Sequence, residues 1–246
     1  MYQFFVEPRQ IREHVVTITG SDVNHIKNVL RMKNGEELAV SNGIDGKEYR
    51  CMIEAIEEEQ IRCRLLFVKE SDVELPARIY LFQGLPKADK MELIIQKAVE
   101  LGVFQIIPVA TKRAVVKLDE KKAAAKQTRW QAIAQAAAKQ SKRRIVPEIA
   151  TCMSFAQAVK YAESMDVKLI PYELAEGMED TRRLMETIKA GQSVAVFIGP
   201  EGGFAEEEIK LAKEAGIVPV TLGRRILRTE TAGMTVLSWL VYLLEQ

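Results

Sequence analysis

Histidine and cysteine are nearly missing from this 246-residue chain, which has only His14 and His25, and Cys51, Cys63 and Cys152. Both histidines stand near the start, so a His-rich zinc site, an HExxH protease or a Ser-His-Asp triad has nothing to build on in the last two thirds. No CxxC pair occurs, and Cys51 and Cys63 fall in alternating, strand-like stretches, the setting of buried reduced thiols. An excess of one charge is lacking too. Lys+Arg 35 against Asp+Glu 34 leave a formal +1, and that total names no partner. No apolar run approaches the ~18 residues that span a bilayer. Acidic and basic residues enter MYQFFVEPRQIREH too early for a signal peptide. A cytoplasmic protein with no membrane segment and no required metal is the expectation. The 48% hydrophobic and 28% charged content is that of an ordinary globular chain, long enough for one large or two smaller domains.

Residues 1–70 read as mostly β. Leu38 to Ser41, then Tyr49, Cys51, Ile53 and Ala55, then Ile61, Cys63, Leu65 and Phe67 alternate with polar neighbours, the period of half-buried strands. Asn42-Gly43 and Asp45-Gly46 punctuate a hairpin. A short helix over 22–30, capped by Asp22, interrupts the strands, and the pattern fits a small β-barrel. The polar stretch 71–76 is the expected linker. From 77 to 246 strands alternate with helices. RIYLFQG, FQIIPVA, VKLIPY, SVAVFIG and IVPVTLG are the strands. Helices are expected at 121–140, 180–189, 205–214 and 231–244, with another after Asp89, whose spacing from Glu92 is capping-box-like. Alternating βα units imply an α/β fold, a parallel sheet with helices on both faces.

Two segments follow strands and lead into helices, the position at which open α/β sheets bind ligands. The first is Gly199-Pro200-Glu201-Gly202-Gly203-Phe204. It is neither GxGxxG nor a P-loop, and Glu201 would repel a pyrophosphate. A ligand with hydroxyls, an aromatic base or positive charge suits it, unless the glycines only reverse the chain. The second, Leu222 to Ala232, crowds Arg224, Arg225, Arg228, Glu230 and two threonines into one turn, with Thr229 or Thr231 available as a helix cap. Two such loops can wall one pocket.

Together, IGPEGGF and LGRRILRTETA resemble the RsmE family of 16S ribosomal RNA methyltransferases, members of the SPOUT superfamily of trefoil-knotted enzymes. The resemblance extends to KADKMELIIQKAVELGV (87–103), RWQAIAQAAAKQSKRRIVPEI (129–149) and NHIKNVLRMKNGEEL (24–38), the last similar to that family's PUA-like RNA-binding domain. Lys90 stands where an arginine is expected. The resemblance implies a PUA-like β-barrel at 1–70, a linker at 71–76, and at 77–246 a parallel-sheet SPOUT domain with a deep C-terminal trefoil knot. It implies methylation of N3 of one uridine in the 16S rRNA of the small ribosomal subunit, with S-adenosylmethionine as cofactor. It further implies a homodimer packed through the knotted domain, each site completed by the partner chain. Carried onto this sequence, the cofactor pocket takes Phe197, Ile198, Gly199, Leu222, Gly223, Ile226 and Leu227, largely through backbone groups. Tyr172 lines it, with Glu201 and Thr229 beside it.

The residues suit that chemistry. S-adenosylmethionine carries a sulfonium and an amine but no phosphate, so a glycine loop bearing Glu201 is compatible. Uridine N3 keeps its proton at neutral pH, and an arginine would stabilise the anion left by its loss. Arg228 is the first choice and Arg225 the second; Glu230 or Glu201 can accept the proton or serve as a salt-bridge partner. For RNA, eleven Lys/Arg between Lys112 and Arg144 face only Asp119 and Glu120, with Lys139, Lys142, Arg143 and Arg144 the tightest cluster. Arg9, Arg12, His25, Lys27 and Arg31 are further candidates, and His25 is as easily structural. Competing readings are a methyltransferase of another RNA, an RNA-binding assembly protein with a dead cofactor site, and a nucleotide-dependent oxidoreductase, which would need the missing GxGxxG.

Overall fold

The computed structural model describes residues 1–70, 72–175 and 177–245. They form two compact units: Met1–Glu74 with Ala138–Val146, and Leu75–Ala137 with Pro147–Gln246. No helix among the described residues is long and apolar enough to cross a membrane.

The first unit has strands β1 (Gln3–Phe5), β2 (Ile11–Arg12), β3 (Val15–Thr19), β4 (Glu37–Ser41), β5 (Lys47–Ile56) and β6 (Gln60–Glu70). They pair in the order β1-β4-β5-β6-β3-β2, antiparallel except for β1 with β4. Among the described residues the pairing runs from β1 to β2, and these ends are the unit's two shortest strands, which expose little unpaired backbone. Phe4, Ile18, Ile26, Leu38, Ile53 and Ile61 fill the core. Cys51 and Cys63 lie there as free thiols, and burial pushes both up to about 12. Alternation holds through Cys63 and fails at Phe67. A register shift between Arg50 and Cys51 leaves Leu66 without a cross-strand partner, and from Leu66 to Glu70 both faces of the strand are exposed. Phe67 is 51% exposed, with the Arg50 guanidinium 5.6 Å from its ring. The helix expected at 22–30 is a single α turn, α1 (Ser21–Asn24), continued by a π-helical turn over His25–Val29. Asp22 does not cap it. The N-cap is Gly20, and Asp22 instead accepts from Lys139 Nζ at 2.5 Å.

Residues 138–146 were expected in the second domain and group with the first unit. Carboxylates explain it. Arg143, 4% exposed, donates from Nε to Glu74 at 3.0 Å, and Glu74 also accepts the backbone N–H groups of Arg144 and Ile145. Arg144 pairs with Glu48 and bonds Gln3. Burial pushes the Glu48 carboxyl up, but Arg50 and Arg144 outweigh that and hold it below its ordinary value. The tightest basic cluster is thus largely consumed within the fold. Of its four cations only Lys142 has no carboxylate partner among the described residues. Arg143→Met is expected to cost ~3–5 kcal/mol, because it strands Glu74 in a part-buried place without its counter-ion. Urea unfolding would show this as a lower midpoint; an unchanged midpoint would deny the pair its structural role.

The second unit holds strands β7 (Arg78–Gly84), β8 (Gln105–Ala110), β9 (Glu148–Ile149), β10 (Met153–Ser154), β11 (Val167–Pro171), β12 (Ser193–Ile198) and β13 (Val218–Val220). Their order is β10-β8-β7-β12-β11-β13, with β9 beside β8, and every pairing is parallel. The helices are α2 (Lys90–Glu100), α3 (Glu120–Gln140), α4 (Phe155–Tyr161), α5 (Met178–Glu186), α6 (Glu206–Glu214) and α7 (Thr229–Leu244). Val194 to Ile198 are buried without alternation, as in strands covered on both faces. On one face Phe82 and Phe197 stack at 4.3 Å against Phe155 and Phe204, and Ala158 and Ala212 let α4 and α6 approach closely. Elsewhere α2 packs on α7, and α7 on β12. Because all strands run one way, their carboxyl ends share an edge. The loops after the neighbours β7, β12, β11 and β13 therefore gather there.

Candidate active site

Three of those loops enclose a cleft of about 480 Å³, within the size range of small-ligand sites. Its walls are Tyr172 and Glu173 after β11, Ile198 to Phe204 after β12, and Thr221 to Thr229 after β13, with Lys90 and Ala232 at its margin. Every residue assigned to cofactor or catalysis from the sequence borders it, apart from Phe197 and Glu230. Phe197 belongs to the stacked aromatic core. On a strand only alternate side chains share a face, so Ile198 reaches the edge while Phe197 stays beneath α4. Glu230, in the first turn of α7, has its carboxylate 3.4 Å from Lys90 Nζ.

Lys90, marked in the sequence only as standing where an arginine is expected, has a role that the sequence did not assign. Its ammonium lies 3.0 Å from Glu201 and 3.4 Å from Glu230, so one cation joins the glycine loop to α7. No local spacing could announce this, since the three residues meet only once the sheet forms. Burial pushes the Glu201 carboxyl up, but its own backbone N–H, Lys90 and the N–H of Lys87 prevail and hold it below its usual value. Lys90 is raised, chiefly by its hydrogen bond to Glu201.

A buried chain of hydrogen bonds fixes the loops. Gln83, fully buried at the end of β7, donates from Nε2 to Thr229 Oγ1 at 2.9 Å. Thr229 Oγ1 in turn donates to the Gly199 carbonyl at 2.6 Å. Neither threonine caps α7 as expected. Arg228 is the N-cap residue, and the Thr229 hydroxyl is committed to Gly199. Close approach explains a second glycine: a Cβ on Gly84 would lie 2.6 Å from Pro200 Cδ and 2.8 Å from Pro200 N. Gly84→Ala should displace the 199–203 loop and cost ~1–3 kcal/mol by overpacking. Thermal unfolding checks this, and an unchanged Tm would show that the loop yields freely.

Arg224, Arg225, Ile226 and Arg228 are exposed on the outer wall, Ile226 at 87%. The RNA candidates of the first unit are scattered. Arg9 pairs with Glu7, Arg12 Nε donates to the Arg9 carbonyl at 3.2 Å, and Lys27 Nζ donates to the Glu57 carbonyl at 2.9 Å. His25 stands edge-on to Phe4 with ring centroids 6.4 Å apart, and Arg31 is exposed with φ 54°.

The parallel sheet with its glycine-loop cleft and the small β unit each match a family of RNA-modifying enzymes. Residues 73–241 match the family model of the RNA methyltransferase domain, and 18–66 that of the RNA methyltransferase PUA domain. The chain is 38% identical to a ribosomal RNA small subunit methyltransferase E of Bacillus subtilis, over 98% of this chain and 96% of that one. It is 30% identical to its namesake in Aquifex aeolicus, over 98% and 99%. A crystal structure of a ribosomal RNA small subunit methyltransferase E from Neisseria gonorrhoeae, bound to S-adenosyl methionine, superposes with a TM-score of 0.86 at 32% identity, covering 99% of this chain and 98% of that one. The chain belongs to the ribosomal RNA small subunit methyltransferase E family.

Proposed function

We propose that this chain transfers the methyl group of S-adenosylmethionine to N3 of one uridine in 16S rRNA, acting on the small ribosomal subunit. The carrying observation is the cleft itself: a glycine loop with an ionised carboxylate and no phosphate cradle, walled by exposed arginines. Its donor set fits that cofactor. Tyr172, Leu222, Ile226 and Leu227 offer apolar surface for adenine, the backbone of Ile198, Gly199 and Gly223 offers hydrogen bonds, and Glu201 suits an ammonium group. At Gly199 a side chain has little room, since a Cβ would meet Gly203 Cα and the Phe204 ring at 3.2 Å.

Bound there, S-adenosylmethionine supplies an electrophilic methyl group on sulfur. The residues do the rest by holding and polarising. Arg228 is placed to stabilise the charge that develops on the uracil oxygen beside N3 as the N3 proton passes to water in the open cleft; Arg225 is the second candidate. Glu201, held below its usual pKa, stays ionised and is a poor base, so its part is in binding and in the clasp with Lys90. Glu230 acts as the other partner of that clasp. Alignment of donor and acceptor in the cleft supplies a large part of the acceleration.

The finer architecture follows the same reading. The Gln83–Thr229–Gly199 chain ties the start of α7 to the ends of β7 and β12, and the family resemblance supports a C-terminal segment threaded as a deep trefoil knot. Tyr242 on α7 and Leu93 on α2 are 77% and 42% exposed, apolar surface of the kind a second copy of the chain covers in a homodimer. The first unit serves as the PUA-like RNA-binding domain, with Arg9, Arg12, His25, Lys27, Arg31 and Lys142 as its contacts. Titration calorimetry with S-adenosylmethionine and with NAD tests the cofactor assignment. Heat with the first alone is expected; binding of NAD instead, or of neither, would overturn it.

A further inference from the structure

The second unit contains eight arginines. Arg129 pairs with Glu92, Arg182 and Arg183 with Glu179, and Arg78 lies over the Phe104 ring. The other four, Arg113, Arg224, Arg225 and Arg228, have no carboxylate or ring partner among the described residues. All four stand at the cleft: three line it, and Arg113 Nη1 donates to the carbonyl of Gly202, which lines it, at 3.2 Å. Three of them share the loop after β13, and Arg113 comes to the same edge of the sheet from the turn after β8. Of the cleft's two carboxylates, Glu201 is already neutralised by Lys90, leaving Glu173 as the opposing charge.

Arg113 is also held firmly. The backbone N–H of Lys112 donates to Glu208 Oε1 at 2.8 Å, and the other oxygen of the buried Glu208 accepts from Ala205 N–H at 2.8 Å. The 111–114 turn is thereby fastened to the glycine loop, and a Cβ on Gly202 would meet the Arg113 Cβ and carbonyl at 3.2 Å. Arg224 sits on the opposite wall, beside Gly223 with φ 105°. A guanidinium fixed by one hydrogen bond keeps further donors in fork geometry, which match phosphate oxygens.

We propose that Arg113, fastened to the glycine loop, and Arg224, on the loop after β13, grip the RNA phosphates that flank the methylated nucleotide. The inference rests on the proposed methyltransferase reading and deepens it by naming where the strand is held. It places the phosphate contacts of the second unit at the cleft rim.

The test compares the wild-type chain with Arg113→Ala, Arg224→Ala, the double variant and the double Lys variant. Binding of unmethylated 16S rRNA is followed as a function of salt, with S-adenosylmethionine binding and methyl transfer measured on the same samples. The double Ala variant is expected to flatten the slope of log K against log salt by ~1.4, from ~0.7 per lost phosphate contact. Its KM for RNA should rise on the order of 10-fold, with cofactor affinity and kcat within twofold, and Lys should restore the slope in part. Should Arg113→Ala fail to fold, Arg224→Ala alone must still lose ~0.7 of slope. An unchanged slope overturns the proposal, and so does a loss of cofactor affinity at unchanged slope, which would make Arg113 a strut of the glycine loop. Wild-type protein that binds RNA but transfers no methyl group defeats the enzymatic reading, while the slopes still judge the grip.

Discussion

Arg228→Ala is expected to lower kcat for methyl transfer by ~10²–10³, the usual cost of removing one donor to a developing anion, with S-adenosylmethionine affinity within twofold. The local structure says why this arginine is present. It occupies the N-cap of α7 in extended conformation, φ −66° and ψ 155°, with no side-chain capping bond. Arginine is a poor choice there on helix grounds, because the cap position favours Ser, Thr, Asp or Asn and the helix dipole disfavours a cation at this end. Arg228→Asn should therefore stabilise α7 by a few tenths of a kcal/mol or more while abolishing most turnover. A variant that loses both stability and activity would mark Arg228 as structural. One that keeps full kcat would pass the role to Arg225, for which Arg225→Ala is the matching measurement.

The second large effect concerns Thr229. Replacing it by Val removes the donor to the Gly199 carbonyl and the acceptor for Gln83 Nε2, both in a buried setting. Gln83 retains a bond to the Gly84 carbonyl at 3.0 Å, so the sharper loss falls on Gly199. Leaving a buried polar group unsatisfied costs ~1–3 kcal/mol, which lowers Tm by ~2–4 °C per kcal/mol in a chain of this size. Cofactor affinity should fall more than stability alone explains, because Gly199 forms the cleft wall. Thr229→Ser keeps the hydroxyl and should restore both. Equal cofactor binding by the Val and wild-type proteins would detach this hydrogen-bond chain from the site.

Much of the fold and of the site is legible in the sequence. The switch from period two to alternating strands and helices marks the change of architecture near residue 75, and both site loops could be placed at strand ends because each follows an apolar run. Three features were hidden for physical reasons. Phe67 keeps the alternation by spacing, but beyond Leu65 neither face of the strand is buried. Lys139, Arg143 and Arg144 look like a nucleic-acid patch until Asp22, Glu74 and Glu48 arrive from distant strands and turns. Lys90 bridges two motifs far from it in the chain. Charge patterning along a chain cannot tell a solvated cation from a paired one, since the pairing is tertiary. Chain threading is likewise beyond any periodic signal, which sees elements and not the order in which loops pass one another.

Small ribosomal subunits, naked 16S rRNA and bulk tRNA from cells lacking the activity are incubated with the protein and methyl-labelled S-adenosylmethionine, and the nucleosides are resolved by mass spectrometry. Label recovered as 3-methyluridine from 16S rRNA, and lost with Arg228→Ala, is the result this account predicts. Label in tRNA, in another modified nucleoside, or nowhere despite cofactor binding would contradict it.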